Sequence, residues 1–294
     1  MNLMDVSIII VNYNTKDITH QCIVSILKHT KKINFEIILV DNASTDGSKA
    51  LFRSFKGIKF VESNRNLGFG KANNLGFSYS SGKYVLLLNS DTILLNNAVK
   101  EFFDSMEQEN LKVSCLGSKL LSQDGVSENN SYGVFPSISS LLISLACIYF
   151  PFLKKNNTVK SEDSFEVDYI IGADLFLRRS VILKLGLFDT DFFMYFEETN
   201  MQLKYHRAGY ISKIISTPRI IHLENGSDIN QSKHYSFKSR KYYFESMFIF
   251  FRKRYDVRKY VITRIISLGY LPLYLKSNLT IKEKYKLILV FLKP

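Results

Sequence analysis

At 294 residues, 46% hydrophobic and 22% charged, the chain has the material for a substantial core and lacks the composition of a disordered protein. The net charge of +12 is unevenly placed: residues 240–294 carry 13 Lys/Arg against 3 Asp/Glu, so the basic character belongs to the C-terminal tail. That asymmetry points to an anionic partner, and because the tail interleaves its charge with aromatic and aliphatic residues, a lipid headgroup layer fits better than nucleic acid.

The three cysteines, Cys22, Cys115 and Cys147, form no CxxC pair, which argues against a zinc or redox site. They read as core thiols, a usage that fits a reducing cytoplasm. The N-terminal MNLMDVSIII lacks a basic leading region and its apolar run stops at Asn12, so it reads as a first strand rather than a signal peptide. No run of about 18 apolar residues predicts a spanning helix.

Val6–Val11 is a buried-type strand, followed by a helix with Ile18, Cys22, Ile23, Ile26 and Leu27 at helical spacing. Phe35–Val40 is a second strand. Ser44, Thr45 and Asp46 then offer N-caps for a helix to about Phe55, and Ile58–Val61 is a third strand. Strand, helix, strand, helix, strand at this spacing implies right-handed crossovers and a parallel sheet. The first turn, NYNTKD, has no glycine, so this is not the dinucleotide fingerprint, and GFGKANN is not a P-loop because Ala72 follows Lys71. Phosphates then need another neutraliser, most simply a divalent metal.

Asn64–Gly76 is dense in Asn and Gly. Gly68 and Gly70 are expected to let backbone approach a ligand, and a helix is expected from Asn73 and Asn74 toward Ser80. Tyr84–Leu88 is a continuous apolar run, as in a strand buried on both faces. Asn89, Ser90, Asp91 and Thr92 follow at once and place a carboxylate at the strand's carboxyl end, where ligands of open α/β sheets collect. One Asp with phosphate oxygens suits Mg2+ or Mn2+.

Leu94–Glu107 is a predicted helix, Val113–Gly117 a strand and Gln123–Tyr132 a loop. The apolar Phe135–Leu153 reads either as a membrane-facing flap or as a packed helix, its core being too short to span a bilayer. Lys154–Asp163 is polar and reads as a mobile loop. Tyr169–Asp174 and Leu175–Arg179 return to the core, and small Gly172 and Ala173 leave room for a sugar. After a short helix at Ser180–Leu185, FFMYFEETN sets Glu197 and Glu198 behind an aromatic run. A carboxylate beside apolar rings is desolvated, which suits a general base; a solvated pair of helix-start acids is the competing reading. His222, after the strand Ile211–Ile215, stands before a Gly/Asn/Ser loop as a candidate metal ligand.

Taken in order, VSIIIVNYN, ILVDNASTDGS, NRNLGFGKANNLG, YVLLLNSDT, GADLFLRRSVILKLGLFDTDFFMYFEETNMQLKYHRAGY and HLENGS resemble bacterial family-2 glycosyltransferases of the rhamnosyltransferase type, over about residues 5–230. The resemblance implies an α/β GT-A fold: a Rossmann-like, mostly parallel central sheet flanked by helices, here with a basic, aromatic helical extension at the C-terminus. It implies that Val11, Asn12 and Tyr13 line the base pocket and that Asp41 bonds the pyrimidine. Asn66, Gly70 and Asn74 match the nucleotide-side loop. Asp91 matches the last acid of the D-x-D metal motif, whose first position is Asn89 here, and His222 the histidine that completes metal and diphosphate binding. Glu198 matches the catalytic base of a Glu-Asp pair that is Glu-Glu in this chain, which leaves the choice between Glu197 and Glu198 open.

The implied reaction is inverting transfer of a sugar, L-rhamnose from dTDP-rhamnose by subgroup, to a hydroxyl of a lipid-linked or polysaccharide acceptor of cell-surface glycan. A UDP-hexose donor, a sugar nucleotidyltransferase and an inactive nucleotide-binding protein are the alternatives. The expected organisation is a transferase domain at 1–239, with a nucleotide half at 1–117 and an acceptor half at 118–239, and basic amphipathic helices at 240–294. Those helices are expected either to lie on the inner face of the cytoplasmic membrane or to cap the core. A homo-oligomer is left open, and no nucleic acid partner is expected.

Overall fold

The computed structural model of the protein describes residues 4–153, 162–223 and 237–292. The polar stretch at 154–161 and residues Glu224–Ser227 of the HLENGS segment lie outside them. In chain order the elements are β1 (Val6–Asn12), α1 (Lys16–His29), β2 (Phe35–Asp41), α2 (Ser48–Arg53), β3 (Lys59–Glu62), α3 (Phe69–Ser78), β4 (Tyr84–Asn89), β5 (Thr92–Leu94), α4 (Ala98–Gln108), β6 (Val113–Ser118) and β7 (Tyr132–Gly133). There follow α5 (Ile138–Tyr149), β8 (Ser164–Val167), β9 (Tyr169–Ile170), β10 (Asp174–Arg178), α6 (Arg179–Leu185), α7 (Glu197–Arg207), β11 (Ile211–Ile215), β12 (Ile220–His222), α8 (Phe237–Arg254), α9 (Val257–Ser267), α10 (Leu271–Leu275) and α11 (Ile281–Leu292).

Contacts divide the chain into two compact units, one of residues 1–134, 162–193 and 197–231, the other of residues 135–161, 194–196 and 232–294. The first is built on an eight-stranded sheet of order β3-β2-β1-β4-β10-β6-β11-β8. β3, β2, β1 and β4 are parallel, β10 runs antiparallel between β4 and β6, and β8 is an antiparallel edge. The continuous apolar runs are explained by burial on both faces. Ile8, Ile10, Leu86 and Leu88 point into one core layer, with Cys22, Ile23 and Ile26 of α1 and Phe102 and Met106 of α4. Ile9, Val85 and Leu87 point into the other, with Ala72 of α3 and Met201 and Tyr205 of α7. This is the mostly parallel α/β sheet flanked by helices that the sequence predicts.

Several local expectations change. The predicted helix at Leu94–Glu107 begins only at Ala98, because Thr92–Leu94 pairs antiparallel with β12 and the Asn96 side chain is bonded to Thr217 O and Arg219 N. α2 is short: Asp46 accepts from Lys16 N and Ser48 N, and Gly47 adopts φ 88° before the helix starts. α3 starts at Phe69, so Asn73 and Asn74 lie within it rather than at its head. Leu27 faces outward from α1. Cys22 and Cys115 are buried thiols whose pKa burial pushes up to about 12, whereas Cys147 on α5 is half-buried rather than a core residue.

The described part of the second unit is mostly helical. Its interior is aromatic: the Phe244 ring lies 4.6 Å from Phe291 and 5.7 Å from Tyr270. The Arg264 guanidinium sits 4.1 Å over Phe248 and donates to Phe291 O, the end of α11 where a cation opposes the helix dipole. Asp256 caps α9 by accepting from Lys259 N.

Candidate active site

The carboxyl edge of the sheet in the first unit gathers polar residues from strands that are otherwise apolar. Register sets Asn12 opposite Asp41 and Val11 opposite Asn89, so the last residues of β2, β1 and β4 lie side by side. Asn12 is fully buried, and its amide donates to Asp41 Oδ1 (2.8 Å) and Ser44 Oγ (3.0 Å). Its carbonyl accepts from the hydroxyls of Thr15 (2.9 Å) and Thr19 (2.8 Å). All of its polar capacity is spent on holding neighbours. Asp41 is also fully buried; its Oδ2 accepts from Ser44 N. The group that reaches solvent here is Tyr13, 45% exposed, while Val11 is half-buried. Asn14 and Ala43 in the flanking loops both have positive φ, a strain of about 1–3 kcal/mol for a non-glycine residue that tends to mark functional loops.

The Asn/Gly segment is knitted inward. Asn66 Oδ1 accepts from Asn42 Nδ2 (3.0 Å) and Gly68 N (2.9 Å). Asn74 holds the backbone of Phe188 with both ends of its amide, 2.8 and 3.1 Å. Gly68 has φ +81°, and a Cβ there would collide with the carbonyl of Phe193; on Gly70 it would meet Phe188 Cβ at 3.2 Å and Glu197 Cβ at 3.6 Å. The close approach that these glycines allow is therefore to the segment leading into α7.

Asp91 and His222 meet because β5 and β12 pair with His222 opposite Thr92, and Leu223 N donates to Asp91 O. Asp91 Oδ1 lies 3.3 Å from His222 Nε2, and Asn89 Nδ2 lies 3.5 Å from the same nitrogen. The side chains of Asp91 and His222 are each 11% exposed. Among the described residues no three His, Cys, Asp or Glu side chains are grouped to hold a metal by themselves. A carboxylate and an imidazole converging at this edge nonetheless fit a divalent ion whose other ligands are phosphate oxygens, the usual arrangement for Mg2+ or Mn2+ on a nucleotide.

Glu197 and Glu198 open α7. The chain enters it through Tyr195 and Phe196, with φ 71° and 65°. Glu197 is 3% exposed and packed beside Gly70. Glu198 is partly exposed, and desolvation pushes its pKa up to about 7, against the backbone and Thr199 hydrogen bonds that lower it. Next to it, burial and then the Glu198 charge push the Tyr169 hydroxyl up to about 12. Gln202, one turn on, clamps Ile170 through its N–H (2.9 Å) and carbonyl (2.7 Å), which ties α7 to β9.

Asp174 joins this edge, though none of the sequence motifs marks it as a site residue. Because β10 is antiparallel, its first residue lies at the carboxyl edge of β4, opposite Leu88. Asp174 is fully buried; its Oδ2 accepts from Ser118 N (2.8 Å) and Oγ (2.5 Å), its Oδ1 has no hydrogen-bond partner, and burial pushes its pKa up to about 7. The available signal was a lone carboxylate heading an apolar strand, DLFLR.

Residues 7–186 match the family model described as glycosyl transferase family 2. The chain is 24% identical to the rhamnosyltransferase WbbL of Escherichia coli K12 over 78% of its own length and 85% of that protein's. It is 25% identical to the N-acetylglucosaminyl-diphospho-decaprenol L-rhamnosyltransferase of Mycobacterium tuberculosis H37Rv, over 63% of this chain and 66% of that one. Of three other curated relatives it matches, it spans 20%, 37% and 60% of their length. Among solved structures, that of GalNAc-T7 with UDP, GalNAc and Mn2+ aligns with 97% of this chain and 54% of its own, at a TM-score of 0.63 and 15% identity, a likeness of fold. The chain belongs to glycosyltransferase family 2 and has the GT-A fold.

Proposed function

We propose that the protein moves a sugar, with inversion, from a nucleotide-diphosphate donor to a hydroxyl of a lipid-linked or polysaccharide acceptor, and that the donor is dTDP-L-rhamnose. The observation that carries the reading is the meeting of Asp91 and His222 at the carboxyl edge of a sheet whose neighbouring strand ends hold Asn12 and Asp41. Residues 1–117 would take the donor and 118–239 the acceptor.

In this reading the base stacks on the exposed Tyr13, beside Val11, while Asn12 acts through Asp41 by fixing its carboxylate. Asn66, Gly70 and Asn74 shape the loop that packs against the approach to α7. Asp91 and His222, with Asn89 beside them, would hold Mn2+ or Mg2+, which when bound neutralises the departing diphosphate. Glu198 takes the proton of the acceptor hydroxyl as its oxygen forms the bond to the anomeric carbon and the nucleoside diphosphate leaves. A carboxylate with a pKa near 7 is matched to that task. Glu197, enclosed against Gly70, orients the helix start rather than meeting the acceptor. The rhamnosyltransferase relatives support the sugar, and the decaprenol-linked acceptor in the name of one supports a lipid-linked acceptor. A lipid-linked acceptor and a basic tail are consistent with a peripheral protein on the inner face of the cytoplasmic membrane.

The test is a thermal-shift screen of nucleotide sugars with Mn2+, followed by product analysis. Stabilisation by dTDP-rhamnose and release of dTDP support the reading. A preference for a UDP-hexose replaces the donor, pyrophosphate release replaces the reaction with nucleotidyl transfer, and binding without release leaves an inactive protein.

A further inference from the structure

α5 and α9 of the helical unit carry their apolar residues on the wrong side for a protein in water. The α5 sequence, ISSLLISLACIY, contains no charge, yet only Leu141 in it is buried. Ile143 is 63% exposed, and past the end of the helix Phe152 is 81% exposed. A helix that is apolar all round belongs in an apolar environment. α9 is reversed: its fully buried residues are Thr263 and Ser267, whose hydroxyls donate to the backbone at Lys259 and Thr263. Its outward stripe is Val257, Val261 and Ile265, continued just past its end by Leu268, at spacings of four, four and three.

These are not helices that lack a seat. Tyr149 OH donates to Gly269 O (2.7 Å), Tyr270 OH to Leu141 O (3.3 Å), and Leu145 packs where a Cβ on Gly269 would be. With that packing complete, a broad apolar surface is left over, of the kind that marks an interaction site. We propose that this surface, formed by α5, the turn at 151–153 and α9, inserts into the headgroup–acyl boundary of an anionic membrane. The inference deepens the proposed function, on which it rests for the lipid-linked acceptor, by naming the surface that brings the protein to it.

Charge selects the occupant. Arg252, Arg258, Lys276, Lys282 and Lys286 are exposed in the same unit. The three acids of residues 240–294 are engaged locally: Glu245 with Lys241, Asp256 at the cap of α9 and Glu283 at Thr280. A second copy would bring two strongly basic units together, each with 13 Lys/Arg against 3 Asp/Glu in residues 240–294. An anionic leaflet complements both the apolar stripe and the exposed cations of the unit, of which Arg258 lies on α9 itself. No helix among the described residues is long and apolar enough to cross a membrane, and α5 is about 18 Å long against about 30 Å of hydrocarbon, so the helices lie in the plane.

The chain has no tryptophan, so Phe152→Trp installs a single reporter at an exposed position. Its emission is expected to shift to the blue with phosphatidylcholine vesicles containing a third phosphatidylglycerol, and much less with phosphatidylcholine alone. In co-sedimentation with the same vesicles, Ile143→Glu and Ile265→Glu in the full chain are each expected to weaken binding about tenfold or more. Both positions are exposed, so thermal unfolding should be unchanged. The proposal is overturned if the wild-type chain stays in the supernatant, if the Trp emission does not move, if both Glu variants bind as the wild type does, or if light scattering shows a dimer that these substitutions dissociate. Nucleoside diphosphate release without vesicles reads the transferase proposal separately. Release lost with vesicle binding intact counts against that reading alone, and binding absent with release intact counts against this one alone.

Discussion

Asp91 Oδ1 lies 3.3 Å from His222 Nε2, though one follows β4 and the other comes from the far end of the transferase fold. The contact exists because β12 pairs with β5 immediately after Asp91. A carboxylate and an imidazole brought together by strand register, beside Asn89, form a geometry that a metal-bound diphosphate can use.

Removing either side chain is expected to uncouple donor from metal. Asp91→Ala is expected to weaken Mn2+-dependent donor binding by at least about tenfold, and His222→Ala by a similar or smaller factor. Calorimetric titration with and without EDTA checks this. Equal donor affinity in wild type and variant under both conditions would show that the pair does not serve the metal.

The rate should depend on pH through Glu198. A base must be ionised, and desolvation holds its pKa near 7, so turnover is expected to rise with pH and level off above about 7. A profile already flat at pH 5 would assign the step to another group.

Asn12 should matter more for order than for contact. Asn12→Ala removes the amide bonded to Asp41 and Ser44 and the acceptor shared by the hydroxyls of Thr15 and Thr19, which keep only each other and Ser90. The expected cost is about 2–4 kcal/mol of stability, together with weaker donor binding. Thermal unfolding and a nucleotide titration report both. Unchanged stability would mean that the network is not intact in solution.

Asp174 makes stability fall as pH rises. The unfolded chain releases its proton near the ordinary carboxylate value of 3.8, while the fold keeps it until about 7. Between those values the folded state binds more protons, so stability declines through that window. Glu198 has the same sign, from 4.5 to about 7. In EDTA, Asp174→Asn is expected to lose less stability between pH 5 and 8 than the wild type, by about 1 kcal/mol or more. Parallel curves for the two proteins would place the charge elsewhere.

Much of this was legible in the residues. Continuous apolar runs announced β1, β2 and β4, and the abrupt change to Asn or Asp marked the carboxyl ends of those strands. What side chains do at that edge was less legible, because residue type does not name a partner. Asn12 and Asn74 look like ligand groups but use both ends of their amides on Asp41, Ser44, Thr15 and Thr19 in the one case and on Phe188 in the other. Asp174 escaped because its position depends on β10 running antiparallel, a non-local fact. The helical periodicity of α9 could not say which face turns inward, and the buried face proved to be that of Thr263 and Ser267.

The most direct test replaces each acid of the pair in turn and measures Mn2+-dependent release of nucleoside diphosphate beside donor affinity. The account predicts that Glu198→Gln loses about 100-fold or more in rate while binding the donor as the wild type does. It is contradicted if Glu198→Gln turns over normally, or if Glu197→Gln is the variant that loses rate with donor binding intact.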